Sequence, residues 1–175
     1  MEEASLARER TCCFTGHRPG KLPWRSDESD RRCLALKEAI RREMERAYDR
    51  GFRHFICGMA QGCDLYFCEA ALVLRGERPG ITVEAAIPCE EQTEKWPERD
   101  RERHRQLVDR CDFETMVQRH YDRGCMLRRN RYMVDRSALL IAAFDGTAGG
   151  TMYTVAYAMK KGVEIVTIDI ESPEP

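Results

Sequence analysis

The sequence predicts a single-domain, Rossmann-like α/β fold: a doubly wound, mainly parallel sheet with helices on both faces. Three observations indicate it. Apolar strands alternate with amphipathic helices, three of the strands run into glycine-containing turns, and 175 residues are typical of one domain. Because the carboxyl ends of parallel strands meet at one edge of a sheet, the three turns are expected to form one shared site.

The elements of the first half follow from apolar runs, helical periodicity and glycine or proline stops. The expected strands are 11–15, 53–57 and 81–87, and the expected helices are 29–50 and 63–75. Gly51 and Gly76 are expected to end the two helices, and Pro88 the third strand.

The second half begins with a very polar segment, residues 90–111, in which Pro97 is expected to start a helix. Further expectations are a short strand at 113–117, a helix at 125–136, a core strand at 138–144, a helix at 150–161 and a strand at 163–170. Strand 138–144 is expected beside strand 11–15, which places the switch point of the sheet between them. Residues 1–10 are predicted to be an extension and 171–175 a disordered tail, on either side of a domain at 11–170.

Composition narrows the function classes. Acidic and basic residues nearly balance, with a net charge of −1, so nucleic acid is not an expected partner. No run of about 18 apolar residues is present, so no membrane span is expected. Nine cysteines without a CxxC pair or a secretory signal predict reduced thiols in a cytoplasmic protein. The spacing of these cysteines fits no common zinc pattern, so no metal site is predicted.

The turn at 145–151 is the strongest candidate for binding phosphate. A strand leads into it and a helix follows, so backbone N–H groups and the positive end of the helix would face an anion. Thr151 can cap the helix or donate to a phosphate oxygen. A tight turn without a ligand accounts for the same pattern, and no Lys-Ser/Thr pair of a P-loop follows. The candidate residues of this turn are Asp145, Gly146, Gly149, Gly150 and Thr151.

The other two turns contribute a second group of candidates. They are Gly16, His17 and Arg18 in the first turn and Gly58, Gly62 and Asp64 in the second. An arginine in a short rigid loop is well placed to pair with a phosphate or carboxylate. Arg18 is therefore favoured over His17 for a direct role, although His17 can act as an acid or base. Asp64 either stabilises the start of its helix or accepts a hydrogen bond from a ribose hydroxyl.

The helix expected at 125–136 carries the remaining candidates. Asn130 is a polar residue within an apolar stripe, and Arg128 and Arg131 are neighbours on the helix surface. Either this helix presents a solvated basic face with one buried amide, or Arg128, Asn130 and Arg131 reach the mouth of the crevice.

Four segments together resemble the YpsA-type branch of the SLOG superfamily. They are Thr15–Pro19, Gly58–Asp64, Arg129–Asp135 and Asp145–Thr151, and Gln92 and Trp96 fit the same pattern. The resemblance implies a nucleotide-type ligand at the carboxyl edge of the sheet, either a nucleoside phosphate or an ADP-ribose or NAD-like compound. It further implies a sensor or regulator linked to bacterial cell division or stress.

The same superfamily suggests two alternatives. In LOG phosphoribohydrolases the motif Gly-Gly-x-Gly-Thr-x-x-Glu carries a catalytic glutamate, and this chain has Thr154 at that position. Threonine cannot replace the carboxylate, so hydrolysis of an N-glycosidic or phosphate ester bond has no assigned catalytic residue. DprA-like DNA binding is favoured by Arg128, Arg129 and Arg131 and opposed by the net charge. Members of the superfamily often form dimers, so a homodimer stays open.

Overall fold

The computed structural model describes residues 8–173, in which six strands and five α-helices alternate, and it confirms the predicted α/β fold. The strands are β1 (Thr11–Gly16), β2 (His54–Cys57), β3 (Thr82–Ile87), β4 (Phe113–Met116), β5 (Leu139–Phe144) and β6 (Glu164–Asp169). The helices are α1 (Arg31–Asp49), α2 (Cys63–Glu77), α3 (Glu98–Arg110), α4 (Cys125–Asp135) and α5 (Gly150–Lys160), with a short 3-10 helix at Pro19–Lys21.

The ends of these elements lie close to the expected ones, with one instructive exception. Gly76 was expected to stop α2, but the helix continues through it to Glu77. Gly51 does follow the end of α1, where its φ of +103° is a conformation that glycine adopts readily. Most of the expected N-terminal extension, and the end of the expected disordered tail, lie outside the described residues.

All the strands of the described sheet are parallel, in the order β4-β3-β2-β1-β5-β6. The chain winds outward from β1 to β4 and then returns to place β5 on the other side of β1. The register pairs Thr15 with Ala142 and Gly16 with Ala143, so the carboxyl ends of β1 and β5 are level. The predicted neighbours are therefore confirmed, and the switch point lies between β1 and β5.

Helices cover both faces of the sheet, so the central strands are apolar on both sides. Alternate residues of β1 show this: Cys12 and Phe14 pack with α1 and α2, whereas Cys13 packs with α4 and α5. Phe14 stacks on Phe67 of α2 with ring centroids 4.6 Å apart. This packing fixes the starts of α2 and α5 beside the ends of the strands.

The nine cysteines are free thiols, and all but Cys111 are buried. Among residues 8–173, no three His, Cys, Asp or Glu side chains are arranged to hold a metal ion. In the same part of the chain, no helix is both long and apolar enough to cross a membrane.

Candidate functional site

A cleft of about 360 Å³ lies at the switch point, a volume near the lower end for small-molecule sites. The loop after β1, the start of α2, one side of α4 and the start of α5 form its walls. Of the candidate residues, those that line it are Gly16, His17, Arg18, Asp64, Asn130, Gly150 and Thr151. Lys21, Met126, Leu127 and Arg129 also line it and were not among the candidates.

His17 joins the three turns. Its backbone N–H donates to Ala143 O at the end of β5 (3.3 Å), and its carbonyl oxygen accepts from Cys63 N at the start of α2 (3.2 Å). Its Nε2 lies 2.9 Å from Asp145 Oδ1, in the turn after β5. With only 3% of its surface exposed, His17 fixes the position of each turn relative to the other two.

Gly16 and Gly62 allow the first two turns to approach each other closely. A Cβ on Gly16 would lie 2.5 Å from Cys63 Cβ, and one on Gly62 would lie 2.8 Å from His17 O. Gly62 also has a φ of +83°. The structure thus supplies a packing reason for both glycines, in addition to any contact with a ligand.

The hydrogen bonds of Asp145 define the tautomer of His17. Its Oδ1 accepts from Thr147 Oγ1 (2.6 Å) and Thr147 N (2.9 Å), and these bonds, together with His17, hold the pKa of Asp145 well below its usual range. An ionised carboxylate only accepts hydrogen bonds, so Nε2 of His17 carries the donated proton. Asp145 N–H also points at Nε2, at 3.4 Å, and would need the other tautomer, but the shorter contact of 2.9 Å with the ionised carboxylate decides for a proton on Nε2. With that proton on Nε2, the nitrogen left to accept a hydrogen bond is Nδ1.

Arg129 is the buried cation among the lining residues that the sequence did not indicate as candidates for the cleft. Only 2% of its surface is exposed, and its guanidinium donates to Gly58 O and, at 2.9 Å, to Asn130 Oδ1. Burial lowers the pKa of Arg129, and the charge of Asp64 opposes that shift. Asp64 is 6% exposed and accepts from Ala60 N at 3.1 Å. Burial raises the pKa of Asp64, against the positive charge of Arg129.

Arg128 and Arg131 lie outside the cleft, contrary to the hypothesis that they reach its mouth. Arg128 is exposed and bonds to Gln118 Oε1 (2.7 Å) and Asp122, while Arg131 contacts Tyr153. The physical reason is the rotation of α4 about its axis. Its buried positions are Cys125, Arg129, Met133 and Val134, so the inward stripe includes an arginine. The spacing of Arg129, four residues from both Cys125 and Met133, is the sequence signal that indicates this.

The start of α5 forms the positive end of the cleft. Its N-cap is Gly149, and no side chain caps the helix, so of the two roles considered for Thr151 the capping role is not observed. A Cβ on Gly150 would meet nothing within 4 Å, which leaves its backbone accessible from the cleft. Lys21 Nζ donates to Ala148 O at 2.5 Å and would collide with a Cβ on Gly149. The exposed Gly146, with φ +84°, shapes the turn but does not line the cleft.

Gln92 supports the second turn from behind. Its Nε2 donates to Gly58 O at 3.1 Å, and its Oε1 lies 3.0 Å from His104 Nε2 on α3. Burial lowers the pKa of His104 to about 4, so the neutral ring donates to Gln92. Trp96 packs edge-on against His104 with centroids 5.4 Å apart. Part of the polar segment 90–111 is thus anchored to the turn at Gly58, and neither Gln92 nor Trp96 lines the cleft.

Thr154 does not provide the chemical group of a catalytic glutamate. It is buried, and its Oγ1 donates to Gly150 O at 2.9 Å within α5. The hydroxyl is engaged with the backbone of its own helix, so it supplies neither a charge nor a proton acceptor to the cleft.

Comparison with known families decides the affiliation of this chain. The YpsA model, described as the YspA SLOG family, matches residues 12–172. The chain belongs to this SLOG family. The UPF0398 protein YpsA of Bacillus subtilis (strain 168) is 24% identical over 155 residues, which cover 87% of this chain and 86% of that protein. A UPF0398 protein of Bacillus thuringiensis (strain Al Hakam) is 26% identical over 157 residues, covering 87% and 84%.

Two solved structures of DNA processing protein A (DprA) have a similar fold. The Streptococcus pneumoniae protein matches with a TM-score of 0.62 at 17% identity, over 94% of this chain and 52% of that one. The Helicobacter pylori protein matches with a TM-score of 0.59 at 16% identity, over 96% and 68%. This chain thus spans about half of the S. pneumoniae protein, and at these identities the likeness shows the fold.

Proposed function

We propose that this SLOG-family chain binds a nucleotide at the β1/β5 switch point and acts as a nucleotide-dependent sensor or regulator. The ligand is a nucleoside phosphate or a compound of ADP-ribose or NAD type. One observation carries the proposal: Arg18, Lys21 and Arg129 line the same small cleft as the uncapped start of α5, whereas Asp64 is the one carboxylate among the lining residues. Such a surplus of positive charge in a concave site favours a phosphate-bearing ligand.

The phosphate is expected at the start of α5. The backbone N–H groups of Gly150 and Thr151 and the partial positive charge of the helix would face it. Arg18 lines the same cleft and is close enough for its charge to act on Asp64 and Arg129. Lys21 would exchange its bond with Ala148 O for one with a phosphate oxygen.

The nucleoside is expected toward α4. Met126 and Leu127 supply apolar surface, and the amide nitrogen of Asn130 is available because its oxygen already accepts from Arg129. Asp64 uses Oδ2 to accept from Ala60 N, which leaves Oδ1 for a ribose hydroxyl. These groups supply an apolar surface for a base and polar groups for a sugar, an arrangement typical of small-molecule sites.

Calorimetric titration with AMP, ADP, ADP-ribose and NAD tests the proposal. Gly150→Asp places a negative charge at the phosphate position, and the open space around Gly150 allows the side chain without a clash. We expect saturable binding to the native chain and at least a tenfold loss of affinity in this variant. Ala156→Asp adds the same charge to an exposed site on the same helix and serves as the control.

Two results would contradict the proposal. Absence of binding by all four compounds would exclude a nucleotide as the ligand. Unchanged affinity in Gly150→Asp would exclude the start of α5 as the phosphate position. Thermal unfolding provides an independent check, because a ligand at 100 times its Kd stabilises the fold by about 2.7 kcal/mol.

Single-stranded DNA is a second candidate ligand. The comparison with DprA weakens the expectation, drawn from the net charge, that nucleic acid is not a partner. The H. pylori DprA structure describes a single-stranded DNA binding mode, and that protein shares this fold. In this chain the segment before α4 exposes Tyr121 and Arg123, an aromatic and a basic residue suited to stacking and phosphate contact. Retention of an oligonucleotide that falls steeply with salt, and that Tyr121→Ala weakens, would support DNA binding.

A further inference from the structure

We propose that the cleft also hydrolyses its ligand, with His17 as the general base that cleaves the phosphoanhydride bond of a nucleoside diphosphate. This inference rests on the proposed nucleotide site. His17 would be the proton acceptor, so the reaction would not require the catalytic glutamate of the LOG motif, at whose position this chain has Thr154.

The orientation of His17 is the first argument. Its Nε2–H donates to Asp145 Oδ1 at 2.9 Å, and Asp145 is itself held by both donors of Thr147. A ring held in this way by an ionised carboxylate has one tautomer and one orientation, as a histidine base requires. The carboxylate also stabilises the imidazolium that forms when Nδ1 accepts a proton.

The accessibility of Nδ1 is the second argument. His17 is 97% buried and lines the cleft, and no hydrogen-bond partner for Nδ1 exists among residues 8–173. Within the same residues, Nδ1 of His17 is not among the fully buried side-chain polar atoms that lack a partner. Nδ1 of His17 is therefore in contact with the open space of the cleft, where a water molecule can reach it.

The base and the expected phosphate position share one turn. Asp145, which orients His17, begins the turn that Gly149 ends, and α5 starts directly after it. Arg18 follows His17 in the chain and lines the same cleft. A phosphoryl group at the start of α5 is thus close to the imidazole, with cations available to neutralise the charge that develops.

The chemistry follows from these positions. Nδ1 takes a proton from a water whose oxygen attacks the terminal phosphorus, forming a P–O bond. The bond from that phosphorus to the bridging oxygen breaks, and its electron pair leaves with the nucleoside monophosphate. The products are the monophosphate and inorganic phosphate, and the imidazolium returns its proton to solvent.

A diphosphate fits this site better than a phosphate monoester. A departing phosphate requires no proton at neutral pH because its second pKa is about 6, whereas a departing ribose alkoxide requires an acid. Asp64, the one carboxylate that lines the cleft, is not placed to be that acid. It accepts a hydrogen bond from Ala60 N and interacts with the charge of Arg129, rather than lying beside the turn at 145–149.

The experiment incubates ADP with the native chain in H₂¹⁸O, with and without Mg²⁺, while calorimetry measures ADP binding separately. We expect inorganic phosphate carrying ¹⁸O by mass spectrometry, and unlabelled AMP. His17→Gln keeps an N–H donor directed at Asp145 but removes the basic nitrogen. It should retain ADP affinity within about threefold and lose at least 100-fold in turnover, the scale of general base catalysis.

Each outcome is decisive. Binding without turnover in the native chain would overturn the inference and leave the proposed function intact, whereas absence of binding would overturn both. Turnover unchanged in His17→Gln, or in Gly150→Asp, would assign the activity to a contaminant or another group. If His17→Gln unfolds, Asp145→Asn provides the second test, since it should lower turnover at least tenfold while ADP still binds.

Discussion

Arg129 on α4 donates a hydrogen bond to the carbonyl oxygen of Gly58, in the turn after β2. Gln92 donates to the same oxygen, so this carbonyl connects α4, the second turn and the segment before α3. The next residue, Met59, is buried with a φ of +62°, an uncommon conformation for a residue with a side chain. The two donors therefore hold a turn that local preference alone would not favour.

Removal of the Arg129 side chain is expected to destabilise the fold strongly. Arg129→Leu leaves Asn130 and Gly58 without a charged donor and Asp64 without its nearby cation, so the free energy of unfolding should fall by about 2–4 kcal/mol. Urea denaturation measures the change. Arg128→Leu is the matched control, because that exposed side chain should contribute at most about 1 kcal/mol. Equal losses in the two variants would contradict the account.

Gly76 within α2 and Gly62, the N-cap directly before it, should respond to alanine in opposite directions. Gly76 lies inside the helix with open space at its Cβ position, so Gly76→Ala should raise the free energy of unfolding by about 0.5–1 kcal/mol. Gly62→Ala meets a backbone oxygen at positive φ and should lower it by about 2 kcal/mol or more. Thermal unfolding of both variants would test this, and a neutral Gly62→Ala would show that the turns are not closely packed.

The stability of the protein should depend on His104 in mildly acidic solution. Burial lowers its pKa to about 4 in the folded chain, against about 6.5 for an unfolded histidine. Between these values the unfolded chain binds more protons, so stability is complete above about pH 6.5 and falls as the pH approaches 4. With allowance for partial exposure, we expect a loss of about 1–2 kcal/mol. Urea titrations at several pH values should show a flatter profile for His104→Gln, and identical profiles would contradict the prediction.

Lys21 should contribute to ligand affinity more than to stability. Its side chain is exposed, and its bond to Ala148 O lies at the surface. Lys21→Met should weaken ADP binding by about tenfold at low salt, with a smaller effect at high salt because exposed charges are screened. The free energy of unfolding should change by less than about 0.5 kcal/mol. Affinity that is independent of both the substitution and the salt concentration would exclude Lys21 from the phosphate position.

Strand and helix periodicity in the sequence was sufficient to predict the fold, because each element has its own pattern of apolar residues. Cys12 to Phe14 form an apolar run, and α1 repeats its apolar residues at helical spacing. The meeting of the three turns also followed, since parallel strands place their carboxyl ends at one edge. His17, Arg18, Asp64 and Gly150 were identified for this reason, and the structure brings them to one cleft.

What the sequence determined by itself was therefore the α/β order, the parallel sheet and the edge that carries the cleft. Only the tertiary structure decided which arginine of α4 faces the interior, because successive residues of an α-helix point in directions about 100° apart. A buried guanidinium also requires partners, and besides the adjacent Asn130 those of Arg129 are Gly58 and Asp64, far away in the chain. The roles of Gly16, Gly62 and Gln92 depend on the same distant contacts. Local periodicity records which residues prefer burial, whereas close approach and pairing exist only once separate elements pack together.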